Sequence, residues 1–596
     1  MDKVTFDLSQ DLDTSPNIFI KKEWINILDQ QNGNYAGNQC IIETSALSNS
    51  NKFMNYRESY IAMPLLLTLT SPQSTSTATD MLPASAGTSC DYVMGLKNFY
   101  GSMIHSFTVD FQGTTIVQQT PFTSMYNCFK LLTALSWNEI FSYGSQIGFY
   151  PDDPLSWTYI STASTTALDG LGTCVNTNQA STGSLLNTTT AFNTYSSGAG
   201  NIGFLQRQQF INFDLDGVPT TGTYSALLSE NSVKTMWKNY ISKKQSSTGS
   251  SVAGVFQISV MATIYLRHIH SFFDKIPLAK GIFMKLTLNL NQTSTTFTKS
   301  NNASNACTGF GVTSVTSAVG GVNPLMIASG RTGCGSVNLN TSASSSATSV
   351  SFIASVAVGN QVLDSTQRTI TGVAGNNLAS NVYLYVPAYT FNPVYESVML
   401  SSPIKEIKYK DLYLYQIINI TANSGTINNL LTNGVSGLSE ILIIPFHSTT
   451  AGTTAGHPLA SVCPVYQSPF DTAGCGTTSP LCHINQFQVV VSGQNAIYNT
   501  QQHASIEQFN HHLKGTNAVN GNLTEGIGSG VISSIGFDNI YCYYNVNLER
   551  MLPVEEQVPK SVIVQGLNGS AKNCDYFCFL AYKTSIKISI LEGVRV

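Results

Sequence analysis

The chain is short of charge. Asp, Glu, Lys and Arg make up only 10% of its residues, against roughly 25% in an average soluble domain. Ser, Thr, Asn and Gly take their place, as in Thr70–Thr79, Ser161–Thr166 and Asn340–Ser351. Disorder goes with low hydrophobicity and high charge. With 42% apolar residues this chain has neither, so it is expected to fold. A protein that stays monomeric keeps a well-charged surface, so the deficit leans toward assembly. Clustered basic residues are also missing: no Lys/Arg run exceeds Lys21-Lys22 or Lys243-Lys244, and the formal net charge is −4. Nucleic-acid binding needs a phosphate-neutralising patch, so no direct nucleic-acid contact is expected. Long apolar runs are absent too. The longest, Ile61–Leu69, falls short of the ~20 residues that span a bilayer, so no membrane span is expected. The start, Met1-Asp2-Lys3-Val4, lacks the apolar core of a secretory signal. Synthesis in a cytosolic compartment is therefore expected, with the 12 cysteines present as thiols.

What is present is alternation. At 596 residues the chain exceeds the ~250–300 at which single cores stop growing, so two or more domains are expected. In Ile104–Phe111, Phe107, Val109 and Phe111 face one way while Ser106, Thr108 and Asp110 face the other, the period of a half-buried strand. Ser259–Leu266, Ile282–Leu290, Val382–Val386, Leu412–Ile418, Glu440–Pro445, Phe487–Val491, Val562–Gln565 and Ser585–Leu591 also read as strands. Two helices are expected. One opens at Thr120-Pro121, with Thr as cap and Pro in the first turn, and presents Phe122, Tyr126, Phe129 and Leu132. The other is Ser232–Lys243. The segments at about 161–255 and 293–350 read as long loop insertions.

The chain also resembles itself. Tyr56–Tyr60 is echoed by Tyr409–Tyr413, a separation of 409 − 56 = 353. Ile104, Phe107, Val109, Gly113, Thr120 and Phe129 return as Ile484, Phe487, Val489, Gly493, Thr500 and Phe509, all at 484 − 104 = 380 without a gap. Ile147-Gly148-Phe149 returns as Ile535-Gly536-Phe537 at 535 − 147 = 388. The repeated positions are strand faces, a turn glycine, a capping Thr and a helix-face Phe, so two copies of one β-domain are expected, joined near Asn392–Pro403.

Two segments carry a resemblance to a known family. One is Leu266-Arg267-His268-Ile269-His270-Ser271-Phe272-Phe273-Asp274-Lys275-Ile276-Pro277-Leu278-Ala279-Lys280-Gly281, followed by the strand Ile282–Leu290. The other is Val386-Pro387-Ala388-Tyr389-Thr390-Phe391-Asn392-Pro393. With the duplicated strand–helix unit they resemble the double jelly-roll major capsid proteins, most closely those of virophages such as Sputnik, over roughly residues 50–160, 255–295 and 380–596. The resemblance implies an all-β chain of two tandem eight-stranded antiparallel jelly rolls. The expected division is an N-terminal arm at 1–50, a first roll at 51–394 and a second at 395–596. It also implies a non-enzymatic shell protein without cofactor, self-assembling as homotrimeric capsomers into an icosahedral virion around double-stranded DNA. Its partners would be further copies of itself and the penton and minor capsid proteins of the same virus, with assembly in the host cytoplasm. The rival reading is a trimeric β-rich adhesin that binds glycans; a secreted polysaccharide-active enzyme is the other.

Candidate chemistry is weak beside this. Gly198-Ala-Gly200-Asn-Ile-Gly203 matches a dinucleotide fingerprint but lacks its strand–helix flanks. Cys463, Cys475, Cys482 and His483 lack the short cysteine spacing of structural zinc sites, and Cys574-x-x-x-Cys578 reads as core thiols. No nucleophile elbow is present. The acid pairs Asp152-Asp153 and Glu555-Glu556 lie by prolines in expected turns, and His511-His512 reads as the end of a helix. No catalytic, cofactor-binding or metal residue is assigned. Phe272, Phe273 and Pro277 are instead expected to anchor one roll against the other or against a neighbouring subunit, because adjacent aromatics in a connection of about 15 residues are not left in water.

Overall fold

A computed structural model describes residues 17–48, 50–70, 92–97, 99–151, 157–159, 174–176, 207, 241–244, 255–301, 307–317, 319–329, 349–359, 362–363, 369–370, 381–448, 482–498, 532–539, 541–548, 558–570 and 573–592. Sixteen strands build two rolls. The first roll holds β1 (Phe19–Leu28), β2 (Gln39–Glu43), β3 (Tyr60–Thr70), β4 (Ile104–Phe111), β5 (Thr114–Val117), β6 (Val255–Tyr265), β7 (Met284–Leu290) and β8 (Tyr383–Phe391). The second holds β9 (Ile404–Ile420), β10 (Thr426–Val435), β11 (Leu438–His447), β12 (Ile484–Val491), β13 (Gln494–Tyr498), β14 (Tyr544–Asn547), β15 (Lys560–Asn568) and β16 (Cys574–Ser589).

The order within the sheets settles the fold. The first roll pairs β1-β8-β3-β6 in one sheet and β2-β7-β4-β5 in the other; the second pairs β9-β16-β11-β14 and β10-β15-β12-β13. Adding eight to every strand number of the first roll reproduces the second. All these pairings are antiparallel, and this strand order is that of an eight-stranded jelly roll. In each roll, alternate residues of the two sheets meet in a buried core, as with Val109, Leu286 and Ile61 in the first and Val489, Val564 and Ile443 in the second.

The duplication is plainest at the hairpins β4–β5 and β12–β13. Gln112 and Gly113 have φ of 50° and 80°, and Ser492 and Gly493 have φ of 50° and 82°. Two successive left-handed residues make the tight hairpin turn whose twist matches the strands, and glycine takes the second place without steric cost. Phe107 and Phe487 stand at matching positions and are both buried. Phe149 and Phe537 are buried in the corresponding fifth-to-sixth-strand connections. Their glycines differ, since Gly148 ends a helix at φ 68° while Gly536 lies inside one.

Several expectations are corrected. The segment 1–50 is not an arm throughout, because β1 and β2 are the first two strands of the first roll and pair with β8 and β7. The echo of Tyr56–Tyr60 at Tyr409–Tyr413 joins places that are not equivalent: the former leads into β3, a third strand, while the latter lies inside β9, a first strand. The segment 293–350 is not all loop. Thr293–Asn301, Cys307–Ser317 and Ser349–Val358 are strands that prolong the first sheet beyond the end of β8, the last of them pairing with β3. Within Ser232–Lys243, Ile241–Lys244 pairs with β6 as a strand, and 232–240 lies outside the described residues. Thr120 does not cap the helix α1 (Thr123–Ala134). The residue before that helix is Phe122, with φ 58° and no side-chain cap. Thr500 and His511-His512 lie outside the described residues.

Candidate functional site: the seam between the rolls

The first roll meets the second through two of its connections. One, between β5 and β6, carries α1 and α2 (Trp137–Ile147). The other, between β6 and β7, carries α3 (Leu266–Ile269) and α4 (Ser271–Lys275). α2 opens on a capping box, in which Ser136 and Glu139 cap each other reciprocally. α3 and α4 are single turns, too short to be stable alone. Their place is set by what they touch.

What α4 touches is β9. Ser271 Oγ donates to the Lys410 carbonyl at 2.7 Å and accepts from the Lys410 amide at 3.0 Å, so one hydroxyl holds both backbone groups of a residue 139 positions away. Phe272 and Phe273 are 0% and 1% exposed. Their rings meet edge to face at 5.4 Å, and Phe272 meets Tyr409 likewise at 5.3 Å, an arrangement favoured by the ring quadrupoles. The Tyr409 hydroxyl donates to the Ile116 carbonyl at 2.5 Å. Pro277 is half-buried just beyond α4. His270 packs its ring edgewise between Phe107 and Tyr409. Its Nδ1 accepts from the Phe272 amide at 3.2 Å, and its Nε2 stands 3.4 Å from Asp411 Oδ1. Asp411 also accepts from the Tyr582 hydroxyl at 3.1 Å.

The second contact is α1 against the outer face of the β9-β16-β11-β14 sheet. Phe122, Tyr126 and Phe129 set their rings against Phe577, Phe579 and Tyr543 at 5.0, 5.7 and 4.9 Å. Thr120, expected as a cap, donates its hydroxyl to the Leu412 carbonyl at 2.7 Å, so it ties the rolls together instead. The left-handed backbone at Phe122 is strained for a bulky residue, and it persists with its ring held between His105 and Phe577. Tyr126 donates to Glu440 Oε1 at 3.0 Å, and burial beside that carboxylate raises the phenol well above its ordinary pKa. Lys410 Nζ lies 4.0 Å from the same oxygen. Tyr126, Lys130, His270, Lys410 and Glu440 line a cavity of about 30 Å³, room for a water molecule among polar groups.

The apolar cores ignore the boundary. Ile407, Tyr409, Ile586, Ile588 and Ile590 of the second roll belong to the first roll's core, while α1 and α2 belong to the second's. Lys280 donates its amide to the Ile590 carbonyl at 2.8 Å, and its ammonium pairs with Glu396 at 2.6 Å. Glu396 is on α5 (Pro393–Leu400), the link between the rolls.

Of the expected residues, the structure brings Phe107, Thr120, Phe272 and Phe273 to this seam, while Gly113 and Gly493 form turns. Sequence reasoning missed Ser271, Asp411 and Glu440. For Asp411 and Glu440 the available signal was a buried-strand position for an acid in a chain with so few acids. Among the described residues, no group of three His, Cys, Asp or Glu side chains is placed to hold a metal ion, and no helix is long and apolar enough to cross a membrane. None of Cys40, Cys128, Cys482, Cys542, Cys574 and Cys578 is in a disulfide; Cys482 and Cys574 have their sulfurs 3.7 Å apart. Cys574 and Cys578 are both buried in the second core. Cys463, Cys475, 152–153, 198–203 and 555–556 lie outside the described residues.

No family model matches the chain, and no curated protein matches it. Among solved structures, a chain of the Sputnik virophage overlaps with a TM-score of 0.49 and 9% identity, covering 98% of this chain and 89% of that one. The mavirus major capsid protein gives 0.38 and 8%, covering 99% and 93%. The Faustovirus major capsid protein gives 0.38 and 9%, covering 97% and 93%. Identities this low say nothing of activity, and the fold stands on the chain's own strand order. By that order a double jelly roll, the chain is similar over nearly its whole length to major capsid proteins of viruses.

Proposed function

We propose that the chain is the major building block of a virus shell, assembling as homotrimeric capsomers that tile an icosahedral capsid around double-stranded DNA. The observation that carries this reading is the exact repetition of one strand order within a chain whose rolls share their cores. Two similar barrels locked side by side are half-way to a sixfold outline. Three such chains give six barrels about one axis while obeying threefold symmetry. The sequence resemblance and the scarcity of charge support the same reading. Vertex and minor shell proteins are the further partners, the virion is the location, and the chain has no catalytic task. Light scattering of the purified protein tests the reading: a mass near three times 64.2 kDa is expected, and a stable monomer at micromolar concentration contradicts it.

A further inference from the structure

Two thiols meet inside the second roll. Cys482 Sγ and Cys574 Sγ are 3.7 Å apart, and both side chains are 0% exposed. They come from opposite sheets. Cys482 stands two residues before β12 of the β10-β15-β12-β13 sheet, and Cys574 opens β16 of the β9-β16-β11-β14 sheet. The backbone is pinned beside each. The Gly569 amide donates to the His483 carbonyl at 2.7 Å, and the Tyr544 hydroxyl accepts from the Ile484 amide at 2.5 Å. Cys574 pairs with Ile420 of β9 on one side and His447 of β11 on the other. The meeting of the sulfurs is therefore built into the strand framework. A disulfide holds its sulfurs about 2 Å apart, so this pair has to close by roughly 1.7 Å, a distance that small rotations about the two Cα–Cβ bonds supply. The residues are 92 positions apart, and the stretch between them carries β12, β13, β14 and β15, half the strands of the roll. Closing so long a loop restricts the unfolded chain strongly, so a bond at this place acts as a staple between the sheets. Core packing alone explains a small buried side chain at either position. It does not ask that the two, on facing sheets, both be cysteine.

We infer that Cys482 and Cys574 form a redox modification site, made as thiols and joined as a disulfide when a small peroxide reaches them, which links the two sheets of the second roll covalently. The inference stands apart from the shell reading, since it concerns the inside of one roll. The chemistry balances with hydrogen peroxide as the oxidant. One thiolate attacks a peroxide oxygen, the O–O bond breaks, hydroxide leaves and takes up the thiol's proton as water, and a sulfenic acid remains. The second sulfur attacks the sulfenic sulfur, the S–S bond forms, and hydroxide again leaves and takes up the second thiol's proton as water. Two thiols and one peroxide give one disulfide and two waters, and the two electrons lost by sulfur reduce the peroxide. The oxidant is little larger than water, so ordinary local openings of the fold admit it, and no bulky mixed disulfide has to fit in the core.

The test uses the reduced, full-length chain, freed of reductant and treated with hydrogen peroxide below its thermal midpoint. Remaining thiols are then blocked with N-ethylmaleimide in denaturant, and the peptides are mapped by mass. The expected product is a pair of peptides holding Cys482 and Cys574, joined and lighter than the two thiol peptides by two hydrogens. The thermal midpoint is expected to rise by about 5–15 °C on oxidation and to fall back with dithiothreitol, whereas Cys482→Ala is expected to show no rise. Recovery of both cysteines as blocked thiols, as separate sulfinic or sulfonic acids, or in bonds to other cysteines overturns the inference. A link that leaves the midpoint unchanged overturns the staple. The peptide map is read on the unsubstituted chain, so it decides alone should Cys482→Ala fail to fold.

Discussion

Replacing Phe272 by Ala removes a ring that is wholly buried and that touches both rolls. Truncating a buried Phe costs about 3–5 kcal/mol through lost transfer energy and the cavity left behind. Nothing near Phe272 can readily collapse into that space. Phe273 and Tyr409 hold fixed edge-to-face positions beside it, and the Tyr409 hydroxyl is tied to the Ile116 carbonyl. The cost should therefore fall in the upper half of the range. It should also be shared: a cycle with Tyr409→Ala should give a coupling of about 0.5–1.5 kcal/mol, the ordinary worth of an aromatic pair beyond its buried area. Urea unfolding followed by near-ultraviolet circular dichroism measures both quantities. Phe141→Ala serves as the control. That ring is 66% exposed, so its loss should shift stability by less than about 0.5 kcal/mol. If Phe272→Ala matches the control, the seam does not hold the rolls together in the way described.

Three further outcomes follow from the same geometry. Gly113→Ala and Gly493→Ala each place a Cβ at a left-handed position and should each cost about 1–3 kcal/mol; closely similar losses, read by urea midpoints, are expected if the two hairpins are true copies. Thr120→Val leaves the buried Leu412 carbonyl without its donor and should cost about 1–3 kcal/mol, while Thr120→Ser, which keeps the hydroxyl, should stay near the parent in the same assay. Burial lowers the pKa of His105 to about 4, below the ~6.5 of an exposed imidazole. The unfolded chain then binds the proton first, so this contribution is complete above about pH 6.5 and is lost as pH falls toward about 4. Urea midpoints across that range should fall less steeply in His105→Gln than in the parent, and parallel slopes would contradict the assignment.

The parts of the fold that were legible in the sequence are those fixed locally. Period-two alternation marks β4, β7 and β12 because each of those strands has one face on a core and apolar residues to match, whereas β11 is apolar on both faces because α1 covers its outer one. The hairpin turns were legible because only glycine suits their second position. β1 was not, since it is an edge strand whose Lys21, Lys22 and Glu23 make ion pairs along its rim, with Lys22 reaching Glu58 at 2.6 Å, and these charges blur the alternation. The seam was half legible. Adjacent aromatics in a long connection pointed to Phe272 and Phe273, but their partner Tyr409 and the clamp from Ser271 to Lys410 depend on where the second roll lies. The Thr-Pro pair at 120–121 carries a helix-start signal, and tertiary contact overrides it, because Phe122 takes the cap position and frees the Thr120 hydroxyl for Leu412.

The most direct test of the central claim is electron microscopy of the purified, unassembled protein, with class averages viewed down the particle axis. Compact particles with six lobes around one axis, arranged with threefold symmetry, are the expected result. Slender fibres, or single particles with only two lobes, would contradict the reading of this chain as the repeating unit of a shell.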